Sequence, residues 1–273
     1  MSGRDLVDEL RQQTNISTKL IFIHVAKTAG TAVKQIFSGH FPVDQCVMDL
    51  ENSADWVNCE NISRFEQLQF LSGHMAYPEL ERRIDMTKFV LATCLRNPIE
   101  HIVSHIVHFR RLADKENQAT FDACSKDAQL LIAKLAKSDL SSPEAISYLY
   151  SSMTDFEVLL FDNCQTRYFT RGLTYLPDGQ RIGLKEMEYA LQTLKQFDHV
   201  GDVKDIRAFV ANVCHSMGWS VPVSIPRVNA FTEKYGLDIS KPAIVNALWP
   251  FIHFDYAIYS QQGKLKNAKS ANA

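Results

Sequence analysis

The apolar residues of this chain fall into short unbroken runs, alternating with longer segments in which they recur at helical spacing. That alternation predicts strands interleaved with helices, and runs without polar interruption suit strands of a parallel sheet covered on both faces. The first run, Leu20-Ile-Phe-Ile, continues to Val25; others are Phe70-Leu71, Lys88 to Arg96 and a short strand at His199 to Gly201. Helical periodicity covers Ala32 to Phe37, and Ile99 to Leu112 with Ile99, Ile102, Val103 and Ile106 on one face. It returns at Phe121 to Ala136, Pro143 to Ser152, Leu184 to Gln196 and Val203 to Met217. Residues 114–162 therefore read as a helical insertion within a single α/β domain spanning 19–260. A polar segment, 1–18, precedes that domain, 173–180 is turn-rich, and a polar tail, 261–273, is expected to fray.

The first strand leads into the densest chemistry. Ala26-Lys27-Thr28-Ala29-Gly30-Thr31-Ala32 joins a strand to a helix N-terminus, where backbone N–H groups lack helical partners and the helix dipole favours negative charge. Lys27 adds a full positive charge, and Thr28 and Thr31 add hydroxyls, so the loop is expected to grip a phosphate or sulfate. It is not a Walker A loop, which requires glycine directly before the lysine; here that residue is Ala26. No strand in this reading ends on an aspartate that would hold magnesium. The Lys88–Arg96 strand stops at Arg96-Asn97-Pro98, where the proline suits the first turn of a helix. Ser104, about two turns into that helix and off its apolar stripe, can face the same ligand as Arg96. A guanidinium fork and a hydroxyl suit a terminal phosphate.

These two segments resemble the sulfotransferases that use 3′-phosphoadenosine 5′-phosphosulfate (PAPS). The first is similar to the family's phosphosulfate loop, Pro-Lys-Thr-Gly-Gly-Thr, with Ala26 for Pro and Ala29 for Gly; alanine restricts positive φ there. The second is similar to its 3′-phosphate motif, Arg-Asp-Pro and a Ser eight residues after the Arg, with Asn97 for Asp. The closer similarity is to the carbohydrate branch, which includes the heparan sulfate 2-O- and 6-O-sulfotransferases. Gly73-His74-Met-Ala-Tyr77, Gln165-Thr-Arg-Tyr168, Phe197-Asp-His-Val-Gly201 with Met217-Gly-Trp219, Arg227-Val-Asn229 and Phe254-Asp-Tyr-Ala-Ile-Tyr259 resemble its later segments in order.

The resemblance implies a three-layer α/β/α fold of the P-loop NTPase-like sulfotransferase type, with PAPS as donor, PAP as product and no metal. It implies that Lys27 meets the bridging oxygen, that Thr28, Ala29, Gly30, Thr31 and Ala32 hold the 5′-phosphosulfate, and that Arg96 and Ser104 clamp the 3′-phosphate. Arg227 is expected to close over the same end. A base for the acceptor hydroxyl is expected at His74, which follows the apolar Phe70-Leu71 run; the catalytic His of the carbohydrate branch lies in the corresponding segment. His24, inside an apolar strand, is read as a hydrogen-bonded packing residue. Gln165 and Arg167 either orient an acceptor or brace the cleft.

Composition narrows the partners. Net charge is −2 and pI about 6.5, so no global basic field recruits nucleic acid or a membrane surface, and Glu81-Arg82-Arg83 reads as a solvated helix face. The expected acceptor is a carbohydrate or small metabolite. The six cysteines form no Cys-x-x-Cys pair, Cys94 reads as a small core residue, and a reducing compartment is the simplest expectation. His101, His105 and His108 share one helix at spacings of four and three, but no Cys or carboxylate partner is evident in the sequence, so they read as a partly solvated face. Asn15-Ile-Ser17 and Asn61-Ile-Ser63 are formal glycosylation sequons that matter only in a secreted chain. Golgi relatives in the resembled family carry an N-terminal anchor, whereas residues 1–18 are polar and charged, so the expectation is a cytoplasmic enzyme. Two alternatives stand beside it: a P-loop-like nucleotide-binding protein or phosphotransferase with another donor, and a silent PAPS-binding module.

Overall fold

The computed structural model describes residues 19–170, 179–225 and 235–270. Five parallel strands form one sheet: β1 (Leu20–Ile23), β2 (Cys46–Val47), β3 (Phe70–Gly73), β4 (Val90–Leu95) and β5 (His199–Asp202). Their spatial order is β2-β3-β1-β4-β5, with Ile23 level with Gly73 on one side and Thr93 on the other. The chain leaves β1 toward β2 but leaves β4 toward β5, so the outgoing connections diverge between β1 and β4. In open α/β sheets, ligands bind beyond the carboxyl ends of the strands at such a divergence.

Alternation along the strands divides the core. Ile21, Ile23, Leu71, Leu91 and Leu95 point to one face. There they meet α2 (Tyr77–Arg83), α7 (Cys164–Thr170), α8 (Leu184–Leu194) and the start of α11 (His253–Ser270). Leu20, Phe22, Phe70, Ala92 and Cys94 point to the other, against α1 (Gly30–Ser38) and α9 (Ile206–Met217). Cys94 is a fully buried core residue, as the sequence suggests. The expected insertion forms a separate helical core: α4 (Lys126–Lys137), α5 (Pro143–Ser151) and α6 (Asp155–Phe161) pack with α3 (Pro98–Arg111) and α10 (Pro242–Leu248). No helix among the described residues is long and apolar enough to cross a membrane.

Several expectations need correction. The helix anticipated over Phe121 to Ala136 is interrupted: a short turn at Gln118–Asp122 stops, and the Ser125 hydroxyl accepts from Ala128 N to start α4 afresh. The backbone of 261–270 continues α11 as helix instead of fraying, in keeping with the good helix formers Lys, Gln and Ala. Strand β5 does end on an aspartate, Asp202, but its carboxylate accepts from Lys204 N and from the Tyr259 hydroxyl. Arg83 leaves the solvated face expected of it and lays its guanidinium over the Trp56 ring at 4.6 Å.

Helix α7 is buried along its whole length, and its polar residues form a brace. Arg167 has no exposed surface and donates to Asp162 Oδ2 at 2.9 Å, while Ile182 N donates to the same oxygen at 2.6 Å. Asp255, equally buried, accepts from Thr166 N, Thr166 Oγ1 and Gln165 N, which fastens α11 to α7. Arg167→Ala should therefore lower the unfolding free energy by about 3–5 kcal/mol in urea titration, because it strands a buried carboxylate. A loss below about 1 kcal/mol would show that the brace is dispensable.

Candidate functional site

Three strand ends supply the site: the loop after β1, His74 directly after β3, and Arg96 directly after β4. The β1 loop is strained. Lys27 and Ala29 both take left-handed backbone, at φ 65° and 60°, which costs an alanine about 1 kcal/mol or more where the resembled family has glycine. What holds it is a set of side chains from other elements. Ala26 N donates to the Tyr168 hydroxyl at 3.3 Å, and His101 Nε2 lies 2.8 Å from Ala26 O. Arg96 Nη1 donates to Lys27 O at 3.4 Å.

Each predicted loop residue takes a distinct place. Helix α1 opens at Gly30 with Ala29 as an N-cap that makes no side-chain hydrogen bond, so the first-turn N–H groups of Gly30, Thr31 and Ala32 have no helical or capping partner. Thr28 is fully buried and its hydroxyl donates to Val25 O at 2.8 Å, so toward a ligand it offers its amide, not its hydroxyl. Thr31 and Lys27 are half-buried at the surface of the loop. Gly30 is required for room: a Cβ there would lie 1.8 Å from His24 Cδ2.

Arg96 is set by Gln165, whose Oε1 accepts from Arg96 N and whose Nε2 donates to Arg96 O, both at 2.9 Å. Its guanidinium also pairs with the exposed Glu100 at 3.4 Å. Asn97 caps α3, its side-chain oxygen accepting from Ile99 N and Glu100 N, as an aspartate there could also do. Gln165 thus braces Arg96, whereas Arg167 pairs with Asp162. Ser104 stands half-buried on α3, one turn before His108 and two before Arg111 on the same face. Arg227 lies outside the described residues, as do the other expectations that fall on 1–18, 171–178, 226–234 and 271–273.

Electrostatics reveals a residue that the sequence reading missed. The Lys27 ammonium is lowered to about 8, first by burial and then by the nearby positive charges of Arg111 and Arg96. Arg111 therefore lies near enough for its charge to be felt at Lys27. His108 is held to about 4 by burial and by Lys27 and Arg111, so it adds no charge near neutrality.

His74 is held by partners on both its ring and its backbone. Its Nδ1 lies 2.7 Å from His24 O, which places the proton on Nδ1 and leaves the Nε2 lone pair outward. Its backbone N donates to Glu51 Oε2 at 3.0 Å, an oxygen only 2.2 Å from where a Gly73 Cβ would sit. The Tyr168 hydroxyl is 3.4 Å from His74 Nδ1, so one phenol touches both the loop and the imidazole. Tyr168 was a second omission, although it sits inside the quoted Gln-Thr-Arg-Tyr segment. His24 is buried beneath the loop, its ring tilted by 34° against the His74 ring at 4.2 Å between centroids, and is lowered to about 2, chiefly by burial, so it packs and takes no proton near neutral pH. Its Nδ1 has no hydrogen-bond partner, contrary to a hydrogen-bonded packing role.

His101 and His105 also depart from expectation: they are 1% and 5% exposed, because α3 runs beneath the β1 loop and against Phe161 of α6. The chain matches no protein-family model and no curated protein.

The arrangement has a pH consequence. An anion held by Lys27 would need its ammonium charged, and the free amine loses its proton near 8, so such binding above that pH must take up a proton. Sulfate keeps its charge between about pH 6 and 10 and isolates this effect. Its affinity should hold steady up to about pH 8 and then fall toward tenfold per unit, whereas in Lys27→Met it should be weak and flat. A wild-type affinity that stays level from about pH 7 to 10 would contradict the assignment.

Proposed function

We propose that this protein is a PAPS-dependent sulfotransferase, with a P-loop-like sulfotransferase fold, acting on an alcohol of a carbohydrate or small metabolite. The observation that carries the reading is the meeting of Lys27, Arg96 and a tautomerically fixed His74 at the ends of β1, β4 and β3, beside the sheet's divergence point. Two cationic side chains and one imidazole follow three adjacent strands of the sheet. The motif resemblance adds the identity of the ligand.

In this reading the first-turn amides of α1 and the Lys27 ammonium take the 5′-phosphosulfate, and Arg96 with Ser104 takes the 3′-phosphate. The acceptor hydroxyl gives its proton to His74 Nε2 as its oxygen bonds to sulfur. The bond from sulfur to the bridging oxygen breaks in line, and the electrons remain on the 5′-phosphate, where Lys27 meets the growing charge. The products are the sulfate ester, PAP and a proton released later from His74. Sulfuryl transfer resembles phosphoryl transfer in needing chiefly position and preorganised charge. The depressed Lys27 fits that need, because its two guanidinium neighbours make the pocket cationic and the phosphosulfate brings the balancing negative charge. Arg111 adds to the positive field at Lys27. No disulfide links cysteines among the described residues and Cys59 is exposed, which suits the reducing cytoplasm.

Calorimetry with PAP and ADP, together with transfer from labelled PAPS to a panel of sugars and small alcohols, tests the proposal. Wild type should prefer PAP, and Arg96→Ala should weaken PAP by about tenfold or more while changing ADP little. His74→Ala should cut turnover by about 10²–10⁴ with PAP affinity nearly unchanged. Equal affinities for PAP and ADP would favour the phosphotransferase reading and overturn this one. PAP binding without transfer to any acceptor would mark a silent module.

A further inference from the structure

Behind the β1 loop lies a cluster that the transfer reading does not use. His101 and His105 stand one turn apart on α3, and Cys164 opens α7 beside them. All three are buried, with 1%, 5% and 4% of their surface exposed. One ring nitrogen from each histidine and the Cys164 sulfur lie within 4.8 Å of one another. The Nδ1 atoms of both histidines are buried with no hydrogen-bond partner. An unmade hydrogen bond of this kind is costly in a buried place, and the two histidines of the cluster carry one each.

The hydrogen bonds around the cluster assign the protons. His101 Nε2 sits 2.8 Å from Ala26 O, so it carries the ring proton and Nδ1 carries the lone pair. A metal-bound imidazole typically donates its second N–H to a backbone carbonyl in this way. We propose that His101, His105 and Cys164 form a buried site for a thiophilic closed-shell cation, with Cu(I) preferred over Zn(II).

Imidazole nitrogens and a thiolate suit either ion, with bonds of about 2.0–2.3 Å, so the donors must end about 3.5 Å apart. That is a closure of about an ångström from the present upper limit, within the reach of side-chain rotation. Binding forms the metal–sulfur bond and releases the thiol proton to solvent. Charge and coordination number then separate the ions. Cu(I) with one thiolate and two neutral imidazoles is neutral, whereas Zn(II) leaves a net positive charge in a buried place. Both histidines already feel the positive charge of Lys27. The nearest candidate for a second anion is Asp255, whose field reaches Cys164, but its oxygens are engaged by Thr166 and Gln165. No fourth His, Cys, Asp or Glu joins the cluster among the described residues, and three donors suit Cu(I) better than tetrahedral Zn(II).

An ion held there would tie α3 to α7 directly under Ala26, stiffening the strained loop from behind. The inference stands on the buried donors alone and does not depend on the sulfuryl-transfer reading.

The test uses the full chain with Cys46, Cys59 and Cys124 changed to serine, which removes the thiols that are exposed or half-buried. After chelator treatment, the protein is titrated without oxygen, once with Cu(I) and once with Zn(II), against competing chelators. One Cu(I) per chain is expected, held more tightly than Zn(II), with a thiolate-to-copper ultraviolet band and X-ray absorption showing one sulfur and two nitrogen neighbours. Cys164→Ser and His105→Leu should each lose the stoichiometric ion, and His108→Leu should keep it. Binding of neither ion, or an ion retained in both Cys164→Ser and His105→Leu, would overturn the site. Tighter Zn(II) than Cu(I) would overturn the charge argument that selects the monovalent ion. Should one of the two variants fail to fold by circular dichroism, the other and the wild-type absorption spectrum still decide.

Discussion

The peptide at Ala26 is the point on which this molecule turns. Its N–H donates to the Tyr168 hydroxyl from α7, and its carbonyl accepts from His101 on α3. A peptide leaving a buried strand must satisfy both polar groups, and here two helices distant in sequence supply the partners. With Ala26 pinned from both sides, the next residues can be driven into left-handed backbone at Lys27 and Ala29. That conformation carries the chain into α1 with its first-turn amides unspent. Strain of this kind persists where surrounding structure over-determines it, and such places are enriched in functional sites.

The same two helices set the rest of the cleft, so its parts are coupled. On α7, Gln165 holds the backbone of Arg96, and Tyr168 about one turn later reaches His74. Helix α3 carries the cap at Asn97, the loop partner His101, and further along the Arg111 charge that is felt at Lys27. Beneath α7 lies the Asp162–Arg167 pair, and Asp255 fastens α11 to the same helix. A shift of α7 would therefore move the loop, the cationic anchor and the imidazole together.

Much of this was legible because it depends on local order along the chain. The strand ends at Lys27 and Arg96, the helix start at Pro98 and the position of His74 follow from apolar runs stopping at polar punctuation. Asn97 could be read as a boundary because a proline follows it. What stayed hidden depends on packing between remote segments. Nothing near Cys164 in the chain announces that it will lie beside His101, and a histidine face looks solvated until a buried helix is placed against it. Tyr168 drew no reading of its own because its hydroxyl's two partners lie on other elements. The Thr28 hydroxyl was misread for a different reason: a loop this tight needs a donor for Val25 O, and the nearest hydroxyl turns inward. Only the charge felt at Lys27 disclosed Arg111.

The central claim is that two separate anion grips face one cleft and hold the two ends of one nucleotide. Phosphorus NMR of PAP in the presence of the protein addresses it most directly. Both the 5′- and the 3′-phosphate resonances should shift on binding, with Lys27→Ala abolishing chiefly the first shift and Arg96→Ala chiefly the second. A wild-type spectrum in which either phosphate keeps its free position would contradict it.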